Sequence, residues 1–129
     1  MNKIIIEVSV GELLDKISIL EIKQEKIKDP EKLKFISDEH SILKDQLDNN
    51  VKSDEKLNNL FQSLKDINAK LWVIEDDKRL CEKNSDFTEN FIKLSRDVHF
   101  LNDERAMIKL KINELTGSVI KEIKEYQSY

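Results

Sequence analysis

Apolar residues recur along most of this chain at alternating steps of three and four, the spacing of helices that turn one face to a core. The longest such series is Phe87, Phe91, Leu94, Val98, Leu101, Arg105, Ile108, Ile112 and Leu115, which predicts a helix from Asp86 to Leu115. One member of that seam, Arg105, is charged. A guanidinium keeps its charge and costs several kcal/mol to bury unless it is paired. Arg105 therefore either meets a carboxylate inside the fold or opens into a pocket for an anion.

Three further helices follow from the same spacing. Ser9 with Glu12 has the form of a capping box and predicts a helix from Val10 to about Lys28. Val10, Leu13, Leu14, Ile17, Leu20 and Ile27 form its inner face, and Ile19 and Ile22 widen that face toward more than one neighbour. Asp29-Pro30 ends it and caps the next, about Pro30 to Leu47, whose seam is Leu33, Ile36, His40, Leu43 and Leu47. Residues 48–53 have the composition of a hairpin tip. A third helix, about Asp54 to Glu82, aligns Leu57, Leu60, Leu64, Ile67, Leu71 and Ile74, with Phe61 and Trp72 beside them. Lys83-Asn84-Ser85 breaks it, and Asp86 with Glu89 resembles a second capping box.

The ends read differently. Thr116-Gly117-Ser118 is a stop and a restart, with Gly117 closing one helix and Ser118 capping a short terminal one that carries Val119, Ile120, Ile123 and Tyr126. Lys3 to Val8 is β-branched and reads as an extended arm or short strand, either draped over the core or paired with its copy in another subunit. The expected fold is all-α: one domain over residues 1–129, an antiparallel bundle of two long hairpins with a short terminal helix and an amino-terminal arm. The third and fourth helices approach ~45 Å at 1.5 Å per residue. Helices of that length in so small a chain favour a homodimer.

Composition narrows the classes. Among 129 residues, 39% are hydrophobic and 37% charged, with two Gly and one Pro, which suits a helical bundle rather than a sheet protein or a disordered chain. The net charge is −4 with both signs interspersed, so general attraction to DNA, RNA or anionic lipid is not expected. Cys81 stands alone, which excludes an internal disulfide and a cysteine metal site. The run Ile4-Ile5-Ile6 is far too short for a membrane span or a signal-peptide core, so a soluble cytoplasmic protein is expected, a phage product in a bacterial cytoplasm included.

Two places could carry chemistry. Asn102, Arg105, Lys109 and Asn113 stack over successive turns, and two cations with two amides could hold phosphate, sulfate or carboxylate oxygens. The same stripe would serve equally as a solvated or ion-paired helix face. The second place is acidic: Glu12 and Asp15 share a face, and Glu75, Asp76 and Asp77 cluster on the third helix. Carboxylates facing one another from two helices can hold Mg²⁺, as in all-α nucleoside-triphosphate pyrophosphatases, or can simply partner Arg79, Arg105 and Lys16. The pair Glu12/Asp15 resembles half of the pyrophosphatase arrangement; the second Glu-rich helix motif is missing. His40 reads as a core or interface histidine, His99 carries little signal, and Trp72 suits core packing or stacking on a base or sugar. No zinc motif, serine-hydrolase elbow or Gly-rich phosphate loop occurs.

The segment Ser9 to Lys23 (SVGELLDKISILEIK), the stretch Leu71 to Arg79, and the stretch Asn102 to Ser118 resemble a small, uncharacterised helical family of bacteria and their phages. The resemblance spans most of the chain. It implies an all-helical cytosolic protein and no particular reaction.

These readings converge on a binding module with no resident cofactor. Arg105 and Lys109 would contact a small anionic, phosphorylated ligand such as a nucleotide or nucleotide sugar. Asn102 and Asn113 would orient it, and Trp72, Glu75 and Arg79 would wall it from the third helix. In a phage protein such a site would suit sequestering a signalling nucleotide. The alternatives are a Mg²⁺-dependent nucleotide hydrolase using Glu12, Asp15, Glu75 and Asp76, and a structural or adaptor protein that meets only other proteins. The adaptor reading expects an apolar strip left exposed on the isolated chain.

Overall fold

The computed structural model describes residues 2–120 and 122–129. Four helices make it up: α1 (Val10–Lys26), α2 (Pro30–Asn50), α3 (Glu55–Lys83) and α4 (Glu89–Thr116). No strand occurs among the described residues. The fold is all-α.

Side-chain caps set most of the helix starts. The Ser9 hydroxyl accepts the N–H of Glu12 at 3.0 Å, Asp29 accepts that of Lys32 at 3.3 Å, and Asp54 accepts that of Leu57 at 2.7 Å. Each satisfies one donor that a helix start leaves unpaired. The box expected at Ser9 closes only on one side, because the Glu12 carboxylate turns to Lys109 instead of the Ser9 backbone. Helix α4 begins later than expected. Asp86 accepts both the N–H and the hydroxyl of Thr88, a local turn that competes with capping and delays the helix to Glu89.

The helices run up, down, up and down. Gln24 faces Ser37 and Glu21 faces His40 across α1 and α2. Gly11 faces Asn113 and Asp15 faces Arg105 across α1 and α4. Helix α1 is the hub and touches all three others, whereas α2 touches α1 alone. The sequence of α1 explains this: Leu14, Ile17, Leu20 and Ile22 are all buried, so apolar side chains surround most of its circumference. Leu14, Leu57, Leu64 and Ile112 form the core, with Val10, Leu47, Val51, Leu60, Phe61 and Ile108 packed around them. Each fully buried leucine or isoleucine there contributes about 1.5–3 kcal/mol. Helix α2 buries no residue, and Phe35 and Ile42 on it are exposed.

Length decides what α1 can cover. With 17 residues it spans ~25 Å, against ~43 Å for α3 and α4 with 29 and 28. Part of the α3–α4 hairpin therefore has no third helix against it. Phe87, at the far end of the expected seam, is accordingly exposed; Leu115, at the other end and two residues past Asn113, is exposed as well.

The terminal helix does not form among the described residues. Gly117 is left-handed at φ 65°, and the N–H groups of Gly117 and Ser118 both cap the Asn113 carbonyl. The Ser118 hydroxyl accepts from Val10 N–H at 3.2 Å and donates to the Ile120 carbonyl, so it caps α1's approach and not a helix of its own. Residues 118–120 and 122–129 carry no helix, and Lys121 of the expected helix lies outside the described residues. Residues 2–8 carry no strand, and Ile4, Ile5 and Ile6 are exposed, so the arm does not drape over the core of its own chain.

Candidate functional site

The residues singled out on α4 converge on α1, where a buried ionic network ties α1, α3 and α4 together. Arg105 Nε donates to Asp15 Oδ1 at 3.0 Å, and its Nη2 donates to Asp15 Oδ2. This two-pronged pairing is the strong geometry for guanidinium and carboxylate. Asp15 itself is 1% exposed. From α3, Asn68 Nδ2 donates to Asp15 Oδ1 and to the Ser18 hydroxyl, each at 2.8 Å, and the Ser18 hydroxyl in turn donates to the Asp15 backbone carbonyl. One turn along α4, the buried Lys109 ammonium donates to Glu12 at 2.6 Å and to Glu122 of the carboxy-terminal tail at 3.0 Å, with Asp15 at 3.8 Å. Another turn on, Asn113 Oδ1 accepts the N–H of Gly11 at 2.7 Å.

A close helix approach makes this possible. A Cβ on Gly11 would stand 2.6 Å from the Lys109 carbonyl oxygen, so only glycine lets α1 come this near to α4. The charges then set each other's titration. Burial pushes the Asp15 carboxyl upward, but hydrogen bonds from Arg105 and Asn68 and the charges of Arg105 and Lys109 outweigh it and hold it below the usual carboxylate range. Burial likewise pulls Lys109 down, and Glu12, Glu122 and Asp15 together raise it above the usual ammonium value. Among the described residues, every buried side-chain nitrogen and oxygen has a partner.

Asn102, which is exposed, accepts from Arg105 Nη1 at 3.5 Å at the edge of this network. The expected members on α3 do not gather here. Trp72 is half-buried, and Glu75, Asp76 and Arg79 are exposed. On α3, Glu75 and Arg79 lie seven and eleven residues beyond Asn68, ~10 and ~16 Å along the axis, so they do not wall the two cations. Glu12 and Asp15 hold Lys109 and Arg105, and no group of three metal-ligating side chains assembles among the described residues. Mg²⁺ at Glu12 and Asp15 would have to displace both cations.

Two smaller clusters complete the polar inventory. His40 meets Glu21 at 3.1 Å, and Lys65 bridges Glu21 and Glu25 from α3. His99 and Phe100 pack against Tyr129 of the tail, whose hydroxyl donates to Asp103. Asn68, Ser18 and Gly11 were not singled out as site residues in the sequence. Asn68 carried one signal: it stands four residues after Leu64, near the α3 seam.

On the opposite side of the α3–α4 hairpin lies an open apolar groove of about 660 Å³. Ala69, Val73, Ile74, Phe100 and Leu101 line it, with Lys70, Asp97 and Glu104 at its rim. Among the described residues no helix is long and apolar enough to cross a membrane. No curated protein and no solved structure matches the chain. A family of unknown function, DUF6165, matches residues 4–129, and the chain belongs to that family.

Proposed function

We propose that this protein is a helical interaction module that docks another protein on the outer face of the α3–α4 hairpin. The observation that supports it is the exposure of Val73, Leu80, Ile92 and Phe100, at 48, 55, 55 and 41%, beside the groove floor of Ala69, Ile74 and Leu101. Val73 and Leu80 share one stripe of α3, and Ile92 and Phe100 one stripe of α4, so the exposed side chains form a strip and are not scattered. Contiguous apolar surface of this kind marks partner sites. The single free thiol of Cys81 suits a reducing compartment, and a cytoplasmic location is part of the proposal. A photo-crosslinking residue in place of Val73, in protein made in its own cells, should yield a covalent adduct with another chain. The same residue in place of the exposed Gln46 on α2 should not. Absence of any adduct at Val73 would overturn the reading.

A second reading rests on Glu122. This carboxylate reaches buried Lys109 from a tail with no regular structure among its described residues, and its side chain is 45% exposed. An anionic ligand that took its place would meet Lys109, with Arg105, Asn102 and Asn113 alongside. A phosphorylated small molecule such as a nucleotide or nucleotide sugar fits that chemistry. Titration calorimetry with inorganic phosphate and with nucleoside triphosphates tests it: Glu122→Gln should tighten binding and Lys109→Met should abolish it. No binding by either protein would end this reading.

A further inference from the structure

We infer that the occupant of the α3–α4 groove is a second copy of this chain, related by a two-fold axis through Phe100. This rests on the interaction reading above and names its partner. The first argument is area. The chain exposes 9655 Å², whereas a compact monomer of 15.2 kDa exposes about 7,100 Å². The extended arm and tail hold part of that excess. The unburied helix α2 and the stretch of α3 and α4 that α1 is too short to cover hold more, and a stable interface takes about 800 Å² from each partner, a third of the excess.

The second argument is charge. On α4, Arg96 and Glu104 lie four residues before and four residues after Phe100, all near one face. Neither charge has an ion pair within the described chain, whereas Asp97 between them is held by Lys93 at 2.8 Å. Antiparallel pairing of two α4 helices about Phe100 stacks that ring on its copy. The same pairing sets Arg96 of each chain opposite Glu104 of the other. Such a surface is complementary to itself, as a two-fold interface requires. Val73 and Ile74 of both chains then close over the aromatic pair. The competing occupant is the chain's own Tyr129, which meets Phe100 edge-on at 5.3 Å and still leaves that ring 41% exposed.

Sedimentation of the full-length protein over a concentration series tests the assignment. The wild type should form a dimer. Phe100→Glu should raise its dissociation constant at least about 30-fold, the effect of losing one central aromatic anchor, with helical circular dichroism unchanged. Arg96→Glu and Glu104→Arg should each weaken the dimer, and the two together should restore it, which a misfolded variant would not do. A dimer indifferent to Phe100→Glu, or a double variant without rescue, overturns the two-fold pairing. A wild type that stays monomeric at sub-millimolar concentration yet gives a Val73 adduct with a different protein overturns self-association and leaves the interaction reading standing. A monomer with no adduct at Val73 removes both.

Discussion

Arg105 and Asp15 stand ninety positions apart in sequence and join α4 to α1 through two parallel hydrogen bonds, with the carboxylate buried and the guanidinium partly open to water. The pair fixes how the two helices align along their axes, because sliding either by one turn separates the partners by ~5.4 Å. A buried ion pair of this kind adds little stability over apolar replacements, yet losing one partner strands the other.

Arg105→Ala should therefore destabilise the fold by about 3 kcal/mol, since it leaves Asp15 buried beside Asn68 with its main cation gone. Removing both charges at once, as Asp15→Leu with Arg105→Met, should cost less than Arg105→Ala alone. Urea denaturation of the three proteins measures the ordering. A double variant less stable than the single would show that the pair is worth more than its desolvation.

Gly11→Ala reverses the usual helix rule. Alanine is ordinarily the better helix former, by about 1 kcal/mol in an interior and by less in a first turn, where Gly11 lies. Here the added methyl meets the Lys109 carbonyl oxygen at 2.6 Å and the Asn113 amide oxygen at 3.0 Å, so α1 and α4 must separate. A loss of about 2 kcal/mol is expected from the overpacking, with the Gly11–Asn113 hydrogen bond lengthened. Thermal denaturation gives the sign directly, and a variant as stable as the wild type would refute the tight approach.

The ionic network also fixes a dependence on pH. Asp15 has a folded-state pKa below its usual 3.8, so its contribution is fully present above that value and is lost as pH falls through the lower folded one. Lys109 is raised above 10.5, so its contribution is present below that value and is lost only as pH climbs through the higher folded one. Between these limits the two groups leave stability flat. Asp15→Asn should be less stable than the wild type at neutral pH, and the gap should close in strong acid. Denaturant midpoints across the acid range give the test, and a gap constant with pH would remove Asp15 as the titrating group.

Much of this fold was legible because local rules and tertiary packing agree. Ser9, Asp29, Asp54 and Gly117 mark the helix ends from their own side chains or lack of one, and α1 carries its hub role in the breadth of its apolar face. Arg105 declared itself by interrupting a seam. Its partner stood only as one of five candidate carboxylates, Glu12, Asp15, Glu75, Asp76 and Asp77, because the choice of Asp15 depends on how α1 lies against α4. The same long-range register recruited Asn68, and it took the Ser118 hydroxyl for Val10 N–H, where spacing alone had assigned it to a terminal helix.

Local stability should follow the contacts of each helix. Helix α1 packs on all three neighbours and α2 on α1 alone, without a single buried residue. Opening α2 therefore exposes the half-buried Leu33, Ile36, Leu43 and Leu47 with the strip of α1 beneath them and breaks the His40–Glu21 and Gln24–Ser37 contacts, whereas opening α1 requires the whole core to part. Regions with few buried contacts open at a lower free energy than the global unfolding. Amide hydrogen exchange under native conditions should show α2 as the fastest-exchanging helix and the stretch Leu14 to Ile22 of α1 among the slowest. Removing the His40–Glu21 contact from the α2 side, through His40→Ala, should accelerate α2 further and leave α3 and α4 unchanged. Equal protection across α1 and α2 would mean that something covers the exposed Phe35 and Ile42, and those two side chains would then become the next place to look for a partner.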